Sequence, residues 1–187
     1  MLKPISTLIT ATAAASNVGQ AWTHNSTVGA AVNTTSGLVV GHANQKYYDV
    51  SEYLGVPFAK PPVHNLRFAP PEAYVGSARI VADKQPLSCT QKPSSVNYSQ
   101  PLDWINMAIT AGIHANHTSE DCLYLNVWTK FPALGGPLKP VLIWVFGGGF
   151  HSGGANDNSQ QGGIFAEEQD VVIVSFNCMY LAMSKKE

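Results

Sequence analysis

The 187-residue sequence predicts an α/β fold. Three observations carry that prediction. Leu123–Thr129, Val141–Phe146 and Val171–Phe176 are short runs rich in β-branched and aromatic residues, the composition of strands. Gly163–Gln169, between the last two, reads as a helix, so the order is strand, helix, strand. Clusters of glycine, proline and small polar residues punctuate the chain between these runs.

The earlier elements follow from the same reasoning. Thr27–Val32 and Gly37–His42 are expected as two short strands joined by the polar turn Asn33-Thr34-Thr35-Ser36, with Tyr47–Gly55 as a third. Pro57, Pro61, Pro62, Pro70 and Pro71 remove backbone donors, so Val56–Pro71 is expected as an extended loop. Ala78–Ala82 reads as another short strand. Between Cys89 and Cys122, Leu102, Ile105, Ile109 and Ile113 fall near helical spacing, with Asp103 early in that turn. Val141–Phe146 and Val171–Phe176 show no polar alternation, the pattern of strands covered on both faces.

At 45% hydrophobic residues the chain can build a core, whereas charged residues make up only 12% and the net charge is −1. Neither a basic stripe nor an acidic tail is present, which argues against nucleic acid and anionic membrane surfaces as partners. No apolar run is long enough to span a bilayer as a helix. Residues 1–21 are expected to be a secretory signal peptide: Lys3, then the apolar run Ile5–Ile9, then a stretch of small residues with cleavage after Ala15 or Ala21. Asn25, Asn33, Asn97 and Asn116 each begin an N-glycosylation tripeptide. Three cysteines leave one thiol over in an exported chain.

Gly147-Gly148-Gly149 directly follows the predicted strand Val141–Phe146. A tight turn is the plainest use of three glycines. A phosphate cradle is disfavoured, because no Gly-Lys-Ser/Thr follows and Ser152 stands where G-x-G-x-x-G needs its last glycine. An oxyanion hole is the third use: successive glycine amides can converge on one point because no Cβ blocks the substrate. Lipases and esterases carry such a Gly-rich motif after a core strand.

Other segments select the third use. Glu120-Asp121-Cys122-Leu123-Tyr124-Leu125-Asn126-Val127-Trp128 resembles the signature of the type-B carboxylesterase/lipase family, the cholinesterase-like enzymes. Tyr53–Ala59, Pro61-Pro62 and Leu66–Pro71 resemble its N-terminal block, Trp144–Phe150 its oxyanion strand and loop, and Val171–Asn177 its next core strand. Lys130 departs from the proline, glutamine or arginine usual there. The resemblance implies an incomplete α/β-hydrolase fold: a small N-terminal antiparallel sheet plus the first strands of the central sheet. It assigns residues 22–177 to the N-terminal part of the esterase domain, and residues 178–187 to a tail unlike the family. It implies that Gly148 and Gly149 supply oxyanion amides, that Cys89 and Cys122 form a disulfide, and that Arg67 and Glu120 form a structural ion pair. The loop closed by that disulfide is the lid in lipases of this family, so the Leu102–Ile113 stripe is either lid surface or an ordinary core helix. Gly112 stands in the region where cholinesterases hold choline on a tryptophan.

The family's nucleophile elbow, G-x-S-x-G, does not occur in these 187 residues. Ser152 follows the glycine loop rather than a strand, His151 reads as a solvated loop residue, and His114 and His117 lack further metal-ligand partners. No metal or cofactor is expected. The reading is therefore the N-terminal part of a secreted serine esterase or lipase, inactive alone, whose parent acts on a small-molecule or lipid carboxylic ester. The competing reading is part of a non-catalytic cholinesterase-like binding protein. After Asn177 the family continues Tyr-Arg, whereas this chain reads Cys178-Met179-Tyr180. Those three residues are compatible with the nucleotides TGTATGTA, which hold the intron-donor hexamer GTATGT. On one reading residues 178–187 are translated intron; the competing reading is a true early stop in a degraded gene. Aggregation is expected for such a piece.

Overall fold

The computed structural model describes residues 27–91, 118–132, 137–148, 152–157 and 161–179. Ten strands and one α-helix lie among them: β1 (Val32–Thr34), β2 (Gly37–Val40), β3 (His42–Ala43), β4 (Val50–Pro57), β5 (Arg79–Val81), β6 (Ser88–Cys89), β7 (Thr118–Ser119), β8 (Tyr124–Lys130), β9 (Val141–Trp144), β10 (Val172–Phe176) and α1 (Gly163–Gln169). The helix has the limits the sequence predicts. The first strand does not: it begins at Val32 rather than ending there, because Thr34 Oγ1 accepts from Ser36 N and donates to Gly37 O, which tightens the hairpin around Thr35. The proline-rich stretch is extended as expected, apart from a 3-10 turn at His64–Leu66.

The central sheet has the order β3-β4-β8-β10-β9. The pairs β3/β4, β4/β8 and β8/β10 are antiparallel, while β9 and β10 are parallel and joined through α1, the expected strand-helix-strand unit. The small N-terminal sheet, expected to be antiparallel, is mixed: β1 and β2 pair antiparallel, and β5 adds parallel to β2. Residues 41–78 form the crossover that lets β5 return in that direction.

A single bulge in β4 lets one strand serve two cores. The register against β8 shifts between Tyr53 and Val56. Before the bulge, Val50 and Leu54 face a cluster with Trp128, Ile173 and Ala166 of α1. The inserted residue reverses the alternation, so Val56 joins Tyr53 on the opposite face with Val39 and Ala82. Gly55 sits at the bulge with φ +73°, and a Cβ there would meet Lys84 O at 2.8 Å. Beneath α1, Trp128 is fully buried and its indole Nε1 donates to the buried Glu52 Oε1 at 2.5 Å, which also accepts from Asn44 Nδ2 at 3.1 Å. Lys130, the departure from the family signature, donates to Glu167 Oε1 at 2.9 Å and so ties the end of β8 to α1.

The expectation that Val141–Phe146 is covered on both faces is not met. Val141, Leu142, Ile143, Trp144 and Val145 are 44–62% exposed. β9 is the edge of the five strands and pairs only with β10 among the described strands. Apolar composition reports what a strand is suited to pack against; burial needs a neighbouring layer, and among the described residues none covers β9.

Candidate active-site loop

The glycine loop begins where β9 ends. Phe146 packs against a small cluster of Ala59, Leu123 and the disulfide, which anchors the exit of the strand. Gly148 adopts φ +134°, and a Cβ there would lie 1.8 Å from Ser152 O. No side chain fits at that position, and the backbone conformation is one that L-residues rarely adopt. A Cβ at Gly147, by contrast, would meet nothing within 4 Å. Gly148 O accepts from Ser152 N at 3.1 Å and from Ser152 Oγ at 3.2 Å, closing a tight turn. Gly149 and His151 lie outside the described residues, as do His114 and His117.

Sequence reasoning passed over the polar side chains that hold this loop. Asn126, fully buried on β8, accepts from Gly55 N at 2.9 Å and donates to Gln85 Oε1 at 3.0 Å, Ala155 O at 2.9 Å and Ser175 Oγ at 3.3 Å. Asn177, at the end of β10, accepts from Ala155 N at 2.8 Å and donates to Leu87 O and Cys122 O at 2.9 Å each. Ser88 Oγ donates to Asn156 Oδ1 at 2.6 Å. The available signal was the interruption of apolar strands by asparagine, a residue depleted in strands and kept in a core only when its hydrogen bonds are met.

The Cys89–Cys122 pair is a disulfide with Cα atoms 5.0 Å apart. It joins β6 to the start of the β8 segment, and both cysteines are at most 1% exposed. Cys178 is free, and burial raises the pKa of its thiol. Arg67 Nη2 donates to Glu120 Oε2 at 2.7 Å, with the side chains 44% and 40% exposed. The carboxylate raises the pKa of the guanidinium, and solvent screens the pair. Tyr124 Oη donates to Asp121 Oδ1 at 2.9 Å; burial first, and that bond second, push its pKa up to about 12. Asn33 is exposed on β1, while Asn25, Asn97, Asn116 and the Leu102–Ile113 stripe lie outside the described residues. An apolar cleft of about 540 Å³ opens between the two sheets, lined by Val39, Tyr53, Val56, Leu125 and Val127, on the face of β8 away from Asn126. Among the described residues no helix is long and apolar enough to cross a membrane.

A model of the carboxylesterase family matches residues 28–178. The chain is 36% identical over 156 residues to an acetylcholinesterase of Leptinotarsa decemlineata, covering 77% of this chain and 24% of that protein. It is 36% identical over 154 residues to a chlorogenic acid esterase of Aspergillus niger, covering 80% and 29% of the two. A solved PNB esterase superimposes with a TM-score of 0.63 at 28% identity, over 80% of this chain and 28% of that one. The chain thus spans about a quarter of the length of the relatives it matches. It belongs to the carboxylesterase family and folds as part of an α/β-hydrolase.

Proposed function

We propose that this chain is the N-terminal part of a secreted carboxylic-ester hydrolase, a serine esterase or lipase, and that it contributes the oxyanion-hole loop while being inactive alone. The observation that carries the reading is the conformation of Gly148, where φ and the approach of Ser152 O admit only glycine, in the loop that follows strand β9. The open space over Gly147 supports it, since a substrate carbonyl needs an approach free of side chains. In this reading the amides of Gly148 and Gly149 donate to the carbonyl oxygen as it gains charge. Each such donor contributes roughly 2.7–4 kcal/mol to transition-state stabilisation. The nucleophile, acid and base belong to sequence beyond these 187 residues. Substrates are small-molecule or lipid carboxylic esters.

Export is supported by the buried disulfide, which persists in oxidising compartments, and by exposure of Asn33 within Asn33-Thr34-Thr35. The experiment has two arms. The purified chain is assayed with p-nitrophenyl butyrate, and the transcript is sequenced past the codon for Asn177. No turnover above background is expected, together with a reading frame that resumes with Tyr-Arg and reaches G-x-S-x-G. Turnover abolished by a serine-directed phosphonate overturns the inactivity. A frame that reaches the elbow without its serine overturns the hydrolase in favour of a binding protein, and a TGC codon at Cys178 removes the intron account of residues 178–187.

A further inference from the structure

Gln91 lies two residues beyond the disulfide cysteine Cys89 and is 7% exposed. Its carboxamide makes a two-way pairing with the backbone of one residue of the glycine loop. Gly153 N donates to Gln91 Oε1 at 2.8 Å, and Gln91 Nε2 donates to Gly153 O at 2.8 Å. The same Nε2 donates to Cys89 O at 3.1 Å, so the side chain is itself held against the disulfide. Gly153 sits hard against the start of the loop: a Cβ there would lie 2.5 Å from the Phe146 ring and 2.6 Å from Gly147 O, at φ +118°. Its neighbour Ser152 makes both bonds to Gly148 O. The carboxamide therefore grips the far end of a turn whose near end is Gly148.

We infer that Gln91 is a positioning residue for the glycine loop, fixing the Gly148–Ser152 turn by holding Gly153 to the disulfide-anchored strand β6. The pairing needs both halves of a primary amide. A backbone N–H requires an acceptor and a backbone carbonyl requires a donor, and only asparagine and glutamine side chains offer both in one plane. Gln91 makes this contact across 62 residues of sequence, from a position two residues beyond a cysteine that the disulfide anchors. The two hydrogen bonds engage the peptide units on either side of the Gly153 Cα, which fixes the local backbone orientation as a single bond does not. The inference rests on the proposed oxyanion role of Gly148 only for its consequence in catalysis; the clamp itself is a property of this chain.

The test is hydrogen–deuterium exchange of the full 187-residue chain at submicromolar concentration, with residue-level fragmentation. Parent, Gln91→Ala and Gln91→Glu are compared. In Gln91→Ala the amides of Ser152 and Gly153 are expected to exchange about tenfold faster, the loss of two net hydrogen bonds, while amides of β4 and β8 keep their rates. In Gln91→Glu the carboxylate keeps the acceptor for Gly153 N but sets an oxygen against Gly153 O and Cys89 O, so the Ser152 and Gly153 amides are also expected to exchange faster than in the parent. Unchanged exchange at Ser152 and Gly153 in Gln91→Ala overturns the clamp. So does equal acceleration in β4 and β8, which marks general loosening, and so does Gln91→Glu behaving like the parent. If exchange follows expectation but the continued reading frame encodes no hydrolase, the oxyanion reading falls and the clamp stands.

Discussion

Asn126→Asp isolates the polar joint between the sheet and the glycine loop with almost no change of shape. Asn126 is 0% exposed and serves four partners. The new carboxylate keeps the acceptor for Gly55 N. It loses the amide donor to Gln85 Oε1 and Ala155 O, and sets an oxygen against both. Each buried group left unpaired costs about 1–3 kcal/mol, so a loss of about 3 kcal/mol is expected near neutral pH. The loss depends on pH, and its sign follows from burial. A buried carboxyl facing acceptors is held neutral when folded, so its folded pKa rises above the unfolded value of about 3.9. The neutral form, which restores one donor, is fully present below the unfolded value. The compensation is lost as pH rises through the folded value. Urea unfolding followed by tryptophan fluorescence at low concentration reads this directly. With an m-value of about 2 kcal/mol/M, the midpoint should fall by about 1.5 M at pH 7 and by less at pH 4. A variant whose midpoint stays within about 0.3 M of the parent at pH 7 would refute the joint, as would a loss that grows on acidification.

Three further outcomes are expected. Non-reducing mass mapping should find Cys89 linked to Cys122 and Cys178 free; removing the bond by Cys89→Ser with Cys122→Ser should cost about 3.7 kcal/mol for a sequence separation of 33, and an unchanged melt would contradict this. Absorbance titration at alkaline pH should show one tyrosine ionising near pH 12, absent in Tyr124→Phe; because its pKa is raised on folding, its contribution to stability holds below the ordinary tyrosine range and fades as pH climbs through about 12. Light scattering should show concentration-dependent association of the parent, relieved by Ile143→Lys, because the apolar, 62%-exposed Ile143 lies on an edge strand suited to pairing with another chain; a monodisperse parent with a sharp melt at every concentration would count against it.

The sequence by itself determined the local elements and their chemistry. Proline and glycine punctuation, together with β-branched runs, located β4, β8, β9, β10 and α1, because those signals act over a few residues and survive without a partner. The signature blocks around Cys122 and Gly148 identified the family and its disulfide for the same reason: the residue types that make such a bond or such a turn are few. What the tertiary structure alone decided was which surfaces meet. Apolar runs such as Val141–Val145 look alike whether a second layer covers them or not, so the exposure of β9 was invisible in its composition. The parity reversal at Gly55 depends on the register of β4 against β8, set by residues about 70 positions away. Gln91, Asn126 and Asn177 read as ordinary polar residues in one dimension. Each acquires its role from backbone groups 22–90 residues distant, and no local pattern encodes a hydrogen bond of that span.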